Sequence, residues 1–214
     1  MEDLFQHIDL KTWKRKEYFE FYSTFDQPYF GIDTEIECTN ALLYCKANGV
    51  SFFMYYMFCA YKALNTIPEF RTRIVDEKPR IYNRIHVGTT IGRPNGSFAF
   101  AYAPFLDDFE GFIESFKKEI EAVNNSEGLR LSENTARIDL MHCSSVPWIS
   151  FKGIKHASNS KFKDSIPKLT FGKYYQKDNK MILPISVHAH HGLMDAIHVS
   201  EFLNKTEDLL MKLN

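Results

Sequence analysis

Apolar and polar positions along the 214-residue chain alternate in two distinct rhythms. Ile32 to Cys38 mixes apolar and polar positions in alternation, as a half-buried strand does. Thr39 then offers an N-cap for a short helix over 40–47, stopped at Asn48-Gly49. Ser51 precedes a helix over 52–65 that is apolar almost all round, and so is expected to be buried. Pro68 ends it. Residues 71–104 read as short strands with turns at Glu77-Lys78-Pro79 and Arg93-Pro94-Asn95-Gly96. From Asp107-Asp108, the residues Phe109, Phe112, Ile113, Phe116, Ile120 and Val123 recur at helical spacing, and Asn124-Asn125 with Gly128 end the helix. Strands are expected over 137–151, 168–176 and 181–187, the last two joined as a hairpin through Lys177-Asp178-Asn179-Lys180. A final helix turns Ile197, Phe202, Leu209 and Leu213 toward a core. Near the start, Trp13 to Tyr22 reads as a short helix with a basic face. Helices interspersed with hairpin-forming strands predict an α/β fold with a mixed, mostly antiparallel sheet, as a single domain over 1–214.

Between the last strand and the last helix lies Val187 to His198, which holds four of the chain's eight histidines. Such a corner lets polar side chains face a cleft, and a histidine there titrates near neutral pH. Three readings stay open on spacing alone. The histidines make ordinary hydrogen bonds; or His188, His190, His191, Asp195 and His198 bind a metal; or one histidine is a catalytic base and Asp195 braces the corner. Adjacent residues of an extended segment point to opposite faces, so a single metal site is not expected to collect both His190 and His191.

Composition narrows the classes. A formal net charge of -1 argues against a general nucleic-acid binder. A 44% hydrophobic content supports a sizeable core, and 19 Phe with 11 Tyr suit pockets for flat ligands. No apolar run approaches the roughly 20 residues of a membrane span. Cys38, Cys45, Cys59 and Cys143 form no CxxC pair and no signal-like segment opens the chain, so reduced thiols and a cytoplasmic location are expected.

The corner His190-His191-Gly192-Leu193-Met194-Asp195-Ala196-Ile197-His198 resembles the HHxxxDGxH signature of the chloramphenicol acetyltransferase family. Further blocks resemble that family in order: Trp13 to Glu17 with Phe19 to Tyr22, Phe70-Arg71, Ser144 to Trp148, Leu169 to Tyr174, and Leu183 to Ser186. The HxxxDG core also occurs in dihydrolipoamide acyltransferases, which share the fold, a two-layer sandwich of sheet and helices. The resemblance implies acetyl transfer from acetyl-CoA, as co-substrate, to a hydroxyl of a small acceptor such as chloramphenicol, with no permanently bound cofactor and no metal. It implies His191 as general base, Asp195 paired with Arg15, Ser144 as oxyanion donor, and Thr170 assisting through a water. Lys173 and Tyr174 would contact coenzyme A; Tyr22, Phe30 and Phe100 would line the acceptor pocket. A homotrimer with sites at the subunit interfaces follows from the same resemblance.

The chain also departs from the family pattern. Ala196 replaces the signature glycine, which would be strained if that position needs a positive φ. Phe100 stands where a small residue is usual and Asp26 where an apolar one is. Leu131-Ser132 replaces a Phe-Pro pair, and Ser51 stands in place of a lysine that helps bind the coenzyme. These departures leave an alternative: a protein that keeps the fold and binds coenzyme A or a small molecule without catalysis.

Overall fold

The computed structural model describes residues 4–157 and 164–212. In chain order the elements are β1 (Phe5–His7), α1 (Lys16–Tyr22), β2 (Tyr29–Glu37), α2 (Thr39–Asn48), α3 (Phe52–Leu64), a 3-10 turn (Pro68–Arg71), β3 (Thr72–Val75), β4 (Lys78–Tyr82), β5 (His86–Gly92), β6 (Phe98–Ala103), α4 (Phe109–Asn124), β7 (Leu140–Val146), β8 (Lys168–Gly172), β9 (Tyr175–Lys177), β10 (Lys180–His190) and α5 (Ala196–Met211). The main sheet runs β2-β10-β8-β7-β5-β6, with β9 also paired to β10. Among the described residues only β5–β7 and β7–β8 pair parallel; the remaining pairs of this sheet are antiparallel. A small antiparallel sheet, β1-β4-β3, stands beside it.

Alternation along the strands sorts the two faces of the main sheet. Leu183, Ile185, Val187 and Ala189 of β10, Leu169 and Phe171 of β8, and Met141 and Cys143 of β7 join the hydrophobic core. The helices cover this side. The side chains of α3 are buried nearly all round because α2, α4 and α5 flank it, and two of its tyrosines tie it to the sheet. The Tyr61 hydroxyl donates to the Met141 carbonyl at 2.7 Å, and the Tyr56 ring lies 4.4 Å from that of Phe171. Phe112 and Phe116 of α4 are wholly buried, and truncating either costs about 3–5 kcal/mol. The other sheet face carries small and polar residues: Ser186, His188 and His190 of β10, Thr170 of β8, and His142 and Ser144 of β7.

Several boundaries differ from expectation. The segment from Trp13 to Arg15 is a turn, and the helix begins at Lys16. Cys38 occupies the N-cap of α2, and Thr39 is its first helical residue. Ser51 sits at the N-cap of α3 but makes no side-chain capping bond there. The strand expected over 137–151 is confined to Leu140–Val146. The one expected over 168–176 breaks at Lys173-Tyr174, where the Lys173 N–H turns to the Ile149 carbonyl at 2.9 Å. The β3–β4 turn centres on Asp76 and Glu77, both at positive φ, one residue before the expected place. Asp178 and Asn179 likewise adopt positive φ, as a two-residue hairpin between twisted strands requires. Ile197 is 72% exposed rather than in the core, because α5 buries the face that carries Val199, Phe202, Thr206 and Leu210, and Ile197 lies off it; Leu213 lies outside the described residues.

Candidate active site

The corner after β10 is a tight turn held by its own backbone. The His190 carbonyl accepts from the N–H groups of Leu193 at 2.9 Å and Met194 at 3.2 Å, while the buried Leu193 and Met194 side chains anchor it. Gly192 is needed for close approach: a Cβ there would lie 3.0 Å from His190 Cε1 and 3.3 Å from the Phe19 backbone. His190 points into the protein. Its Nδ1 accepts the Gly192 N–H at 3.1 Å, and burial holds its pKa down to about 4, so it is neutral and spent on structure. His191 faces the other way. The Tyr22 ring stacks on it at 4.3 Å with 7° between planes, and the Phe30 ring lies 4.6 Å away. Its Nδ1 is buried while its side chain is 32% exposed, so the accessible edge is the one carrying Nε2.

Asp195 follows as the N-cap of α5, where a carboxylate opposes the positive helix end. Both its oxygens belong to Arg15: Nη1 donates to Oδ2 at 2.5 Å and Nη2 to Oδ1 at 3.1 Å. Nη2 also reaches the His191 carbonyl at 3.1 Å. The guanidinium holds the Asp195 carboxyl below its ordinary pKa, chiefly through these hydrogen bonds. His191 Nδ1 lies 3.2 Å from Asp195 Oδ1 but makes no hydrogen bond. The carboxylate is thus tied to Arg15 and not hydrogen-bonded to the imidazole. His198 closes the cap, its Nδ1 accepting the Asp195 N–H at 2.9 Å. Ala196 is the first residue of α5 and is not among the positive-φ residues, so the missing glycine brings no strain. Among the described residues no three metal-ligating side chains gather.

The remaining expected site residues stand elsewhere on the sheet. Ser144 of β7 pairs in register with Thr170 of β8, which pairs with Ser186 of β10, so the three share one row and one face. Ser145, pointing the other way, bonds Tyr56 at 2.8 Å, which leaves Ser144 directed away from the helices. Phe100 lies on β6 opposite Thr90, on the same face. Lys173 and Tyr174 are exposed, and the Tyr174 ring meets the Phe52 ring edge-on at 5.5 Å beside the exposed Ser51. Trp148 is 81% exposed next to this loop. Asp26, Leu131 and Ser132 are exposed.

The expected residues thus fall into two groups, each a candidate half of a site. Arg15, Tyr22, Phe30, His191 and Asp195 cluster at one end of the sheet; Ser144, Thr170, Phe100, Lys173 and Tyr174 lie beyond it. Ser186 and His190 are four residues apart on β10, roughly 13 Å at about 3.3 Å per residue, and β7 is two strands from β10, roughly 10 Å. His191 and Ser144 of one chain are therefore more than roughly 15 Å apart, too far to act on one reacting atom about 3 Å from each. Sequence reasoning gave no role to Ser186 or His156 and weighed His188 as an ordinary hydrogen-bonding residue or a metal ligand. The alternation Pro184, Ser186, His188, His190 carries the signal, since it places polar groups on one strand face.

The sheet layered against helices, with its histidine corner, defines the fold of the coenzyme A-dependent acyltransferases. A probable dihydrolipoamide acetyltransferase from Listeria monocytogenes shares that fold at a TM-score of 0.69 and 13% identity, covering 92% of this chain and 90% of that one. The sequence profile of the chloramphenicol acetyltransferase family matches residues 3–207; the chain belongs to that family and is a coenzyme A-dependent O-acetyltransferase. A solved chloramphenicol acetyltransferase is 32% identical, with a TM-score of 0.89, covering 96% of this chain and 99% of that chain. Chloramphenicol acetyltransferases of Clostridium perfringens and Staphylococcus aureus are 29% and 28% identical, covering 96% of this chain in each case and 94% and 95% of the relatives.

Proposed function

We propose that the chain acetylates chloramphenicol or a related small alcohol at a site shared between two copies, with His191 of one copy opposite Ser144 of the next in a homotrimer. The separation of the two half-sites within one chain carries this reading: neither half can complete the chemistry alone. The His191 edge bearing Nε2 takes the proton of the acceptor hydroxyl as its oxygen attacks the thioester carbonyl; a positioned base contributes about 10²–10⁴-fold. The Ser144 hydroxyl donates to the oxyanion that forms, and Thr170, its neighbour in register, supports the same oxygen through a water. The intermediate collapses, the C–S bond breaks, and the imidazolium returns its proton to the coenzyme A thiolate. Arg15 and Asp195 hold the corner that aims His191. Tyr22 and Phe30, packed against the imidazole, and Phe100 line the acceptor side. Lys173 and Tyr174, with exposed Trp148 alongside, receive acetyl-CoA as a co-substrate, with no resident cofactor. The whole chain acts as one domain. The four buried, free cysteines suit a reducing, cytoplasmic setting.

The test is thiol release from acetyl-CoA by the purified protein in the presence of chloramphenicol, followed by identification of the ester. Release that depends on the alcohol supports the reading. No release with chloramphenicol or with any of a panel of small alcohols overturns it.

A further inference from the structure

His198 ends the histidine-rich corner and takes no part in the chemistry proposed above. Its side chain is 17% exposed, and both ring nitrogens face protein groups. Nδ1 accepts the Asp195 N–H at 2.9 Å, so the hydrogen of the neutral ring sits on Nε2. That edge turns to the 3-10 turn, where Nε2 lies 3.5 Å from Glu69 Oε1. The imidazole thus spans from the Pro68–Arg71 turn to the N-cap of α5.

The turn is a firm anchor. Phe70 is wholly buried, and its ring lies 4.9 Å from that of Phe202 on α5. Thr72 Oγ1 donates to the Pro68 carbonyl at 2.9 Å, and Arg71 donates to the Tyr82 carbonyl at 2.9 Å. Asp195 is therefore held at two points, its carboxylate by Arg15 and its main chain by His198. In the usual capping box the third helical residue is Glu or Gln, whose side chain accepts the N-cap N–H. Here that residue is His198. The exchange has a consequence, because an imidazole that gains a proton carries hydrogens on both nitrogens and accepts nothing. The charged groups facing the ring are Glu69, with Arg71 beside it, and Asp195, with Arg15 bound to it.

We propose that His198 is a positioning residue for acetyl transfer: its neutral ring struts the Asp195 N–H against the 3-10 turn and so fixes where His191 stands, and its protonation releases the corner. The proposal rests on His191 being the base, as read above. The acid side of the pH–rate profile then carries two ionisations, one that occupies the base and one that loosens its support.

The experiment measures kcat and KM of the intact protein with acetyl-CoA and chloramphenicol between about pH 5 and 8, where histidines change charge. Wild type is compared with His198→Leu and His198→Gln. His198→Leu is expected to lower kcat by about tenfold, inside the limit of about 10²-fold that a misplacement near 1 Å costs, with the KM for acetyl-CoA unchanged. His198→Gln supplies the capping-box acceptor without titrating. It should recover most of the loss at the alkaline end, and its kcat should fall less steeply with acid than that of wild type. A ring that only stabilises the fold would lower Tm in His198→Leu and leave kcat alone; that result, or a His198→Gln profile that superimposes on the wild-type profile, overturns the proposal. The His198→Gln profile decides the matter if His198→Leu fails to fold. NMR of isotope-labelled histidine and of the Asp195 amide gives a readout without turnover. An Asp195 amide signal that moves as His198 takes up its proton, and stays put in His198→Gln, supports the strut; a signal indifferent to that proton overturns it. Absence of turnover in wild type counts against His191 as base, while the amide signal still decides the strut, so the two failures are distinguishable.

Discussion

Asp195→Asn removes the charge that both Arg15 nitrogens share while keeping the side chain's shape. Arg15 is 8% exposed; its guanidinium would keep the His191 carbonyl and one neutral amide oxygen in place of two carboxylate oxygens, and its Nε is already unpartnered. Breaking a fully buried pair costs about 3–5 kcal/mol. The Asp195 side chain is 33% exposed, and water compensates part of the loss, so about 1.5–3 kcal/mol is expected. For a chain of this size that lowers Tm by about 3–12 °C. Activity falls too, because a displaced His191 no longer meets the acceptor; a shift near 1 Å costs up to about 10²-fold. Arg15→Ala should match Asp195→Asn in calorimetric Tm and in kcat, and the double variant should be little worse than either single. The pH dependence follows from the sign of the shift. Asp195 is held below its ordinary pKa in the fold, so its contribution is present above about pH 4, the unfolded value, and is lost as pH falls through the lower folded value. The Tm gap between wild type and Asp195→Asn should therefore narrow on acidification. Strictly additive losses in the double variant, or a gap that widens below pH 4, would refute the bracing role.

Three further variants separate chemistry from structure. His191→Ala should lower kcat by about 10²–10⁴-fold and shift stability only by the lost Tyr22 stacking, about 0.5–1.5 kcal/mol, with coenzyme A binding intact by calorimetry. Ser144→Ala should lower kcat by about 10²–10³-fold at a nearly unchanged Tm, as removal of one oxyanion donor does. Ala196→Gly, which restores the family's residue, should gain nothing; it should lose about 0.5–1 kcal/mol because Ala196 is helical, and a rise in Tm would show strain at that position.

The corner was legible because its determinants are local. Gly192, Asp195 and His198 set a turn and a cap within nine residues, and spacing alone exposes such motifs. The helices were legible for a similar reason: Phe112, Phe116 and Val123 keep helical period and are buried. Long-range pairing was not. Nothing near β1 announces its partner β4, seventy-odd residues on, and β8 ends where Lys173 bonds to Ile149, a contact across the sheet. The separation of Ser144 from His191 is likewise a property of strand order, which periodicity does not encode. Ala196 shows the limit of motif reading: a departure that suggested strain from the signature carries none, because the backbone there is helical.

The central claim is that each active site is built from two copies, and mixing catalytically dead variants tests it directly. His191→Ala and Ser144→Ala chains, each inactive alone, are unfolded together in equal amounts and refolded so that copies assort at random. A site that takes His191 from one copy and Ser144 from its neighbour is complete at about one interface in four, so the mixture should recover about a quarter of wild-type activity. Activity that stays at the level of the two parents, with mixed oligomers confirmed by native mass spectrometry, would contradict the shared site.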